Sequence, residues 1–380
     1  MRLETQVTEL TASPSKGLDI LKIEKQLTSM WSDAGTADSS HSGVTRACTI
    51  NLIVYTTPAD DATELDELLN RVTELHPGRT LILMVDRHAK EAKLDGYVST
   101  RCRLLGATGK QICGEQVTIE ASGATVDTVA SAVAPLLVPD VPVYLWWKDI
   151  PHYQDKLFDR LAQTADRVVI DSSVFDHPQE DLLRLATMIE NSRHALQVSD
   201  LTWGRLTVWR TLLASFWDVP DYRPLLSSID TVDVNFAPPE SAPDEIAPKA
   251  LLLAGWLASR LDWALVDVKK NASGIEFKLN CGADPIVVAF RRGPAGKSSI
   301  TSVKLSARGG AASFYVGLHS AGAKLQTEAR IGADHSVGRL LTYERRSDAE
   351  RLSSELAFPG RDRVYEAALR VVGAALRSLS

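Results

Sequence analysis

Strand-like and helix-like segments alternate through the first 175 residues, and this alternation limits the fold more than any other feature of the sequence. Ala47–Tyr55 is apolar and β-branched and reads as a strand. Asp61–Leu75 has helical spacing and stops at His76-Pro77-Gly78, a helix terminator. Thr80–Val85 reads as a second buried strand. A helix (Ala124–Leu136), a strand (Val141–Trp146), a helix (Lys156–Thr164) and a strand (Arg167–Asp171) follow. Strands separated by helices call for a mainly parallel sheet covered on both faces. An amphipathic helix over residues 15–31, carried by Leu18, Ile20, Leu21, Ile23, Leu27, Met30 and Trp31, precedes the sheet.

One part of this region breaks the alternation. Two strand-like runs, at 97–105 and 111–120, flank Gly106-Ala107-Thr108-Gly109, the signature of a hairpin. A hairpin centred on that loop puts Cys102 directly opposite Cys113. Opposed residues lie close enough for a disulfide, so the two form either a redox-sensitive pair or two buried free thiols.

The rest of the chain reads differently. Helical pattern covers Glu180–Ser192 and Leu201–Trp217, and an acidic Pro-rich stretch, Pro238–Glu245, marks a linker. After a strong helix at Ala247–Leu261 come short strand candidates at 264–270, 274–280, 285–291, 299–306, 311–318 and 323–329, evenly spaced with turns between them. That spacing predicts an antiparallel meander, closed by helices near 347–356 and 361–378. The expected organisation is an α/β domain over 1–175, a helical connector and linker over 176–245, and an α+β domain over 246–380.

Composition excludes several classes of function. A net charge of -6 lacks the basic bias of a nucleic-acid binder. The longest apolar runs, such as Ala250–Leu253, are far too short to span a bilayer. Met1–Gln6 shows no signal-peptide pattern, and 4 cysteines in 380 residues are too few for a disulfide scaffold. These features predict a cytoplasmic protein with no membrane or nucleic-acid partner.

Catalytic patterns are missing or fail on context. Arg291–Ser298 resembles a phosphate-binding loop, but Arg291 stands where the first glycine belongs and a strand follows instead of a helix. There is no G-x-G-x-x-G, no G-x-S-x-G and no H-E-x-x-H. The 8 histidines have no metal-ligand spacing. Asp60-Asp61 sits at a helix start, where carboxylates complement the helix dipole. No catalytic residue, metal or cofactor is expected.

Tryptophan is the unusual residue. Trp146-Trp147 ends a strand, and strand C-terminal ends line the ligand crevice of an α/β sheet. Trp203, Leu206, Trp209, Arg210, Leu213 and Trp217 form a helical stripe with Arg205 beside it. Such a stripe reads either as core or as a binding surface, since Trp and Arg dominate protein–protein hot spots. The candidate partner contacts are Trp146, Trp147, Trp203, Arg205, Trp209 and Arg210.

These blocks resemble a known family. Val138-Pro139-Asp140-Val141-Pro142-Val143-Tyr144-Leu145-Trp146-Trp147 is similar to a block of the glucose-6-phosphate dehydrogenase assembly protein family (OpcA). Asp200-Leu201-Thr202-Trp203-Gly204-Arg205-Leu206-Thr207-Val208-Trp209-Arg210 resembles its D-L-x-W-x-R-L-x-x-W-R segment, with Val208 where Pro is common. His76-Pro77-Gly78-Arg79 resembles its H-P-S-R turn, with Gly78 in place of Ser, and Ile112–Gln116 matches its second hairpin strand. The likeness covers residues 18–220; the last third fits by length and strand pattern. The resemblance implies a non-catalytic assembly factor or activator that binds glucose-6-phosphate dehydrogenase and favours its active form. A rival reading is a sugar-phosphate-binding α/β enzyme or metabolite sensor with a basic pocket near Arg79, Arg101, Arg103 and Trp147.

Overall fold

The protein is described by a computed structural model covering residues 15–16, 18–36, 44–105, 110–152, 155–192, 196–271, 274–294, 299–319, 324–332, 335–342, 346–357 and 360–379. The centre of the hairpin loop (106–109) and the end of the phosphate-loop-like segment (295–298) lie outside the described residues.

The elements run in chain order as β1 (Ser15–Lys16), α1 (Ile20–Thr36), β2 (Val44–Arg46), β3 (Asn51–Thr56), α2 (Ala62–Leu75), β4 (Arg79–Asp86), β5 (Lys93–Leu105), β6 (Lys110–Ser122), α3 (Val129–Val133), β7 (Val143–Trp147), α4 (Lys156–Thr164) and β8 (Arg167–Ile170). Then come α5 (Pro178–Asn191), β9 (Val198–Asp200), α6 (Leu201–Arg205), α7 (Thr207–Ser215), α8 (Arg223–Leu226), β10 (Ile229–Ala237) and α9 (Pro248–Arg260). The chain ends with β11 (Ala264–Asn271), β12 (Gly274–Cys281), β13 (Asp284–Arg292), β14 (Ser299–Ala307), β15 (Ala312–Leu318), β16 (Lys324–Ile331), β17 (His335–Thr342), α10 (Asp348–Leu356) and α11 (Arg363–Leu379). None of the described helices is long and apolar enough to cross a membrane.

The chain divides into two compact units. Unit 1 comprises Met1–Ile170, Arg193–Ser199 and Ser347–Arg361; unit 2 comprises Asp171–Ser192, Asp200–Arg346 and Asp362–Ser380.

Unit 1 is built on a sheet of order β1-β5-β6-β4-β3-β7-β8-β9, with β2 also paired to β6. The pairs β6–β4, β4–β3, β3–β7 and β7–β8 are parallel. β5 runs antiparallel to β6. This is the expected parallel sheet with a hairpin. β3 and β8 are buried along their whole length, as strands covered on both faces must be. From β3 outward, the central strands follow the chain order third, second, first, fourth, fifth, sixth. That is the order of the dinucleotide-binding fold, whose ligand crevice opens between the first and fourth strands at their C-terminal ends.

Two local features fix this sheet at its other end. Arg79, the first residue of β4, is buried and pairs with Glu115 at 2.7 Å, with Glu24 at 2.7 Å and with the Leu136 carbonyl at 2.7 Å. Burial is thus matched by three acceptors, the condition under which a buried cation is tolerated. Gly78, just before it, lies against Ile50, and a Cβ there would overlap the Ile50 carbonyl oxygen. The Gly in place of the family's Ser is therefore required by this backbone.

Unit 2 contains an eight-stranded sheet of order β11-β12-β13-β10-β14-β15-β16-β17. Every pair is antiparallel except β10–β13. The predicted meander is present, and of the two closing helices, which fall where expected, α11 belongs to this unit and α10 to unit 1. The sequence reading has no strand at β10 or β17. β10 reads I-D-T-V-D-V-N-F-A, with Val232, Val234 and Phe236 buried and polar residues between them. Its Asp and Asn residues, poor strand formers, mask an alternation that a central position rewards. Helix α9 is buried on nearly all sides, and Gly255 lets α11 approach it, since a Cβ there would overlap the Ala368 carbonyl.

Candidate functional site

The crevice end of the unit 1 sheet is where a ligand would be sought, and the protein's own side chains fill it. Tyr55 on β3 and Trp147 on β7 are register partners. Their rings stack with centroids 3.6 Å apart and planes 11° from parallel. Phe158 on α4 meets Trp147 edge-on at 5.0 Å. Trp147 is 1% exposed and Tyr55 0%.

Polar side chains close the rim. Arg87 Nε donates to Tyr55 Oη at 3.1 Å, and Arg87 Nη2 bonds Asp155 at 2.7 Å. Asp155 also caps α4 by accepting from the Leu157 and Phe158 amides. Lys148 Nζ lies 2.6 Å from Asp60 and 5.5 Å from the centroid of the Trp146 ring. Burial raises the Asp60 carboxyl, but hydrogen bonds from Lys148, the Thr57 amide and the Thr56 hydroxyl outweigh it and hold the pKa below the usual range. The Tyr55 hydroxyl is pushed up by burial, and Arg87 offsets part of that.

The first strand-to-helix turn lacks the glycines of a nucleotide-binding turn. Nucleotide-binding turns carry glycines so that backbone can approach a pyrophosphate at the helix N-terminus. Here the turn reads Thr56-Thr57-Pro58-Ala59-Asp60-Asp61, and Asp61 Oδ1 already accepts from the Thr63 and Glu64 amides at 2.8 and 3.1 Å. A carboxylate occupies the place an anionic ligand would take.

The second tryptophan group lies within unit 2. Trp203 Nε1 donates to Asp362 at 2.8 Å, and the Arg210 guanidinium lies 3.6 Å over the Trp203 ring, a cation–π stack. Arg205 grips both carboxylate oxygens of Asp171, at 2.5 and 2.7 Å. Trp217 meets Phe314 edge-on at 4.6 Å.

Each tryptophan offered as a partner contact is therefore buried. Trp146, Trp203 and Trp209 are each 4% exposed. The structure brings Trp203, Arg205 and Arg210 together and sets Trp147 against Tyr55. What α7 shows outward is an uncharged strip, Thr207, Val208, Thr211, Ala214 and Ser215.

Among the described residues the basic pocket of the rival reading does not assemble. Arg79 opens β4 at the end of the sheet aligned with Asn51 and Val143, whereas Trp147 lies at the opposite end. Arg101 is buried against α2, bonded to Asp66, Asn70 and Gln116. The side chain of Arg103 is outside the described ones. Sequence reasoning missed Tyr55, Arg87 and Asp155; the signal available was the glycine-free turn after Tyr55.

Cys102 and Cys113 are opposed in the hairpin, as its symmetry requires, and joined by a disulfide with Cα atoms 4.0 Å apart. Cys113 is fully buried. Cys48 and Cys281 are free.

Comparison with known proteins identifies the family. Two family models match: the glucose-6-phosphate dehydrogenase subunit N-terminal domain over residues 69–187 and the corresponding C-terminal domain over 196–369. The chain is 34% identical over 155 residues to an OxPP cycle protein OpcA of Synechocystis sp., covering 41% of this chain and 31% of that protein. It is 36% identical over 161 residues to the one of Nostoc punctiforme, covering 42% and 33%. The matched stretch thus spans about a third of those relatives' own length. An NAD binding oxidoreductase from Klebsiella pneumoniae shares the fold, with a TM-score of 0.50 at 11% identity over 88% of this chain and 98% of that one. With both of its domain models matched in order across most of the sequence, the chain belongs to the OpcA family.

Proposed function

We propose that this chain is a non-catalytic partner of glucose-6-phosphate dehydrogenase that binds the enzyme and favours its active form. Family membership supports a role beside that enzyme in the oxidative pentose phosphate pathway. The observation that carries the non-catalytic part is the filled crevice. The likeness in fold to an NAD binding oxidoreductase raises the question of a dinucleotide site, and the Tyr55–Trp147 stack stands where that fold holds its ligand.

A partner that activates must bind the active form of the enzyme more tightly than the inactive one. A tenfold shift needs about 1.4 kcal/mol of differential binding. The buried Trp203–Arg210 stack supports this role from inside, by holding α7 so that its uncharged strip around Val208 is presented to the dehydrogenase. Calorimetric titration of this protein with NADP and with the purified dehydrogenase tests the reading. Heat and a complex with the enzyme are expected, with no saturable binding of the dinucleotide; the reverse pattern would refute it.

A further inference from the structure

The chain enters unit 2 three times, and each entry begins with an aspartate: Asp171, Asp200 and Asp362. Each caps the turn or helix that follows it. All three meet in one cluster. Asp200 accepts from the Ser172 hydroxyl at 2.7 Å and from Tyr365 at 3.5 Å. The Thr202 hydroxyl bonds Asp171 at 3.1 Å, and Trp203 bonds Asp362.

We propose that the Asp171–Asp200–Arg205 cluster is a proton-linked clasp, in which Asp200 Oδ2 takes up and releases one solvent proton while Asp171 stays charged. The geometry sets the two carboxyls apart. Asp171 faces donors on both oxygens: Arg205 on each, and the Ser173 amide and hydroxyl on Oδ1 at 3.0 and 2.6 Å. Arg205 and the Ser173 amide can only donate, so they reward the ionised form. Asp200 divides its partners differently. Its Oδ1 takes two backbone amides, of Ser172 at 3.0 Å and Thr202 at 2.8 Å. Its Oδ2 faces only hydroxyls, and a hydroxyl can donate to a carboxylate or accept from a carboxylic acid. Adding a proton to Oδ2 reverses the Ser172 bond without breaking an amide bond.

The charge count agrees. Asp171 and Arg205 neutralise each other, which leaves Asp200 1% exposed and, among the described residues, with no cation bonded to it; Arg167 of β8 bonds the adjacent Ser199 instead. The ionisable groups around it are Asp171 at the end of β8, Arg205 on α6 and Tyr365 on α11. Beyond them, Arg210 on α7 and Asp362 ahead of α11 bracket Trp203. The charged residues of α9, which packs on α6, are Lys249 and Arg260. Burial, then the Asp171 charge, pushes Asp200 up to about 6. Burial also raises Asp171, but Arg205 and Ser173 outweigh it, and its pKa falls below the usual value. Environments that drive two acids apart assign their roles.

The sign follows. Asp200 has a folded pKa above its unfolded one, so its proton stabilises the fold at low pH, and that contribution is lost as pH rises through about 6. The proposal does not depend on the partner reading. It is tested by urea unfolding of the full chain and its Asp200→Asn variant across the acid-to-neutral range. The ratio of unfolding constants, wild type over variant, should rise by up to about tenfold per pH unit between the ordinary aspartate value of 3.8 and about 6, and be level on either side. A flat ratio would overturn the proposal. Should the variant fail to fold, carboxyl-carbon NMR of the wild type decides: one aspartate titrating near 6 is expected, and none doing so contradicts the clasp.

Discussion

Tyr55 and Trp147 stack 3.6 Å apart at the point where the strand order of the unit 1 sheet reverses. Both rings are fully buried, so the pair belongs to the core of unit 1. Trp147→Ala should therefore cost about 3–5 kcal/mol of stability, the range for a buried large aromatic, measured by urea unfolding. Trp147→Phe, which keeps a ring on Tyr55, should cost much less. Equal losses for both would mean that the stack contributes nothing beyond volume.

Gly78 carries a second prediction. A Cβ there would meet the Ile50 carbonyl, and backbone cannot swing away as a flexible side chain can. Gly78→Ser should destabilise by about 2–3 kcal/mol or more, although Ser is the residue of the family's own turn. A neutral outcome would show that strand β3 shifts to admit it.

The hairpin disulfide predicts a thiol count. Unfolded without reductant, the protein should label at two cysteines, Cys48 and Cys281; with reductant it should label at four. Closing so short a loop should stabilise by about 2–3 kcal/mol, lost on reduction. Four labelled thiols without reductant would favour the reading as two buried free thiols and remove the redox role proposed for the pair.

Val208 tests the partner surface. It is 39% exposed on α7, so Val208→Glu should change stability by no more than about 0.5 kcal/mol. It should nonetheless weaken association with the dehydrogenase by tenfold or more. Unchanged affinity would move the contact elsewhere on the chain.

Much of this was readable in the sequence because it rests on short-range pattern. The parallel strands announce themselves as continuous apolar runs, and the hairpin loop fixes the whole register from Lys93↔Ser122 to Leu105↔Lys110. What pattern cannot separate is an aromatic that packs inward from one that waits for a partner, since both follow the same helical stripe. Trp203 shows this, and its neighbours Asp362 and Tyr365, more than 150 residues on, settle it. The crevice filling is illegible for the same reason. Tyr55, Arg87, Trp147 and Asp155 lie on four separate segments, and none belongs to a motif.

Purified glucose-6-phosphate dehydrogenase can be titrated with this protein while complex mass and initial rate against substrate are followed. A saturable complex whose formation raises the enzyme's rate is expected, with no turnover by this protein alone. No complex and no change in rate, or oxidation of glucose 6-phosphate by this chain by itself, would contradict the proposed function.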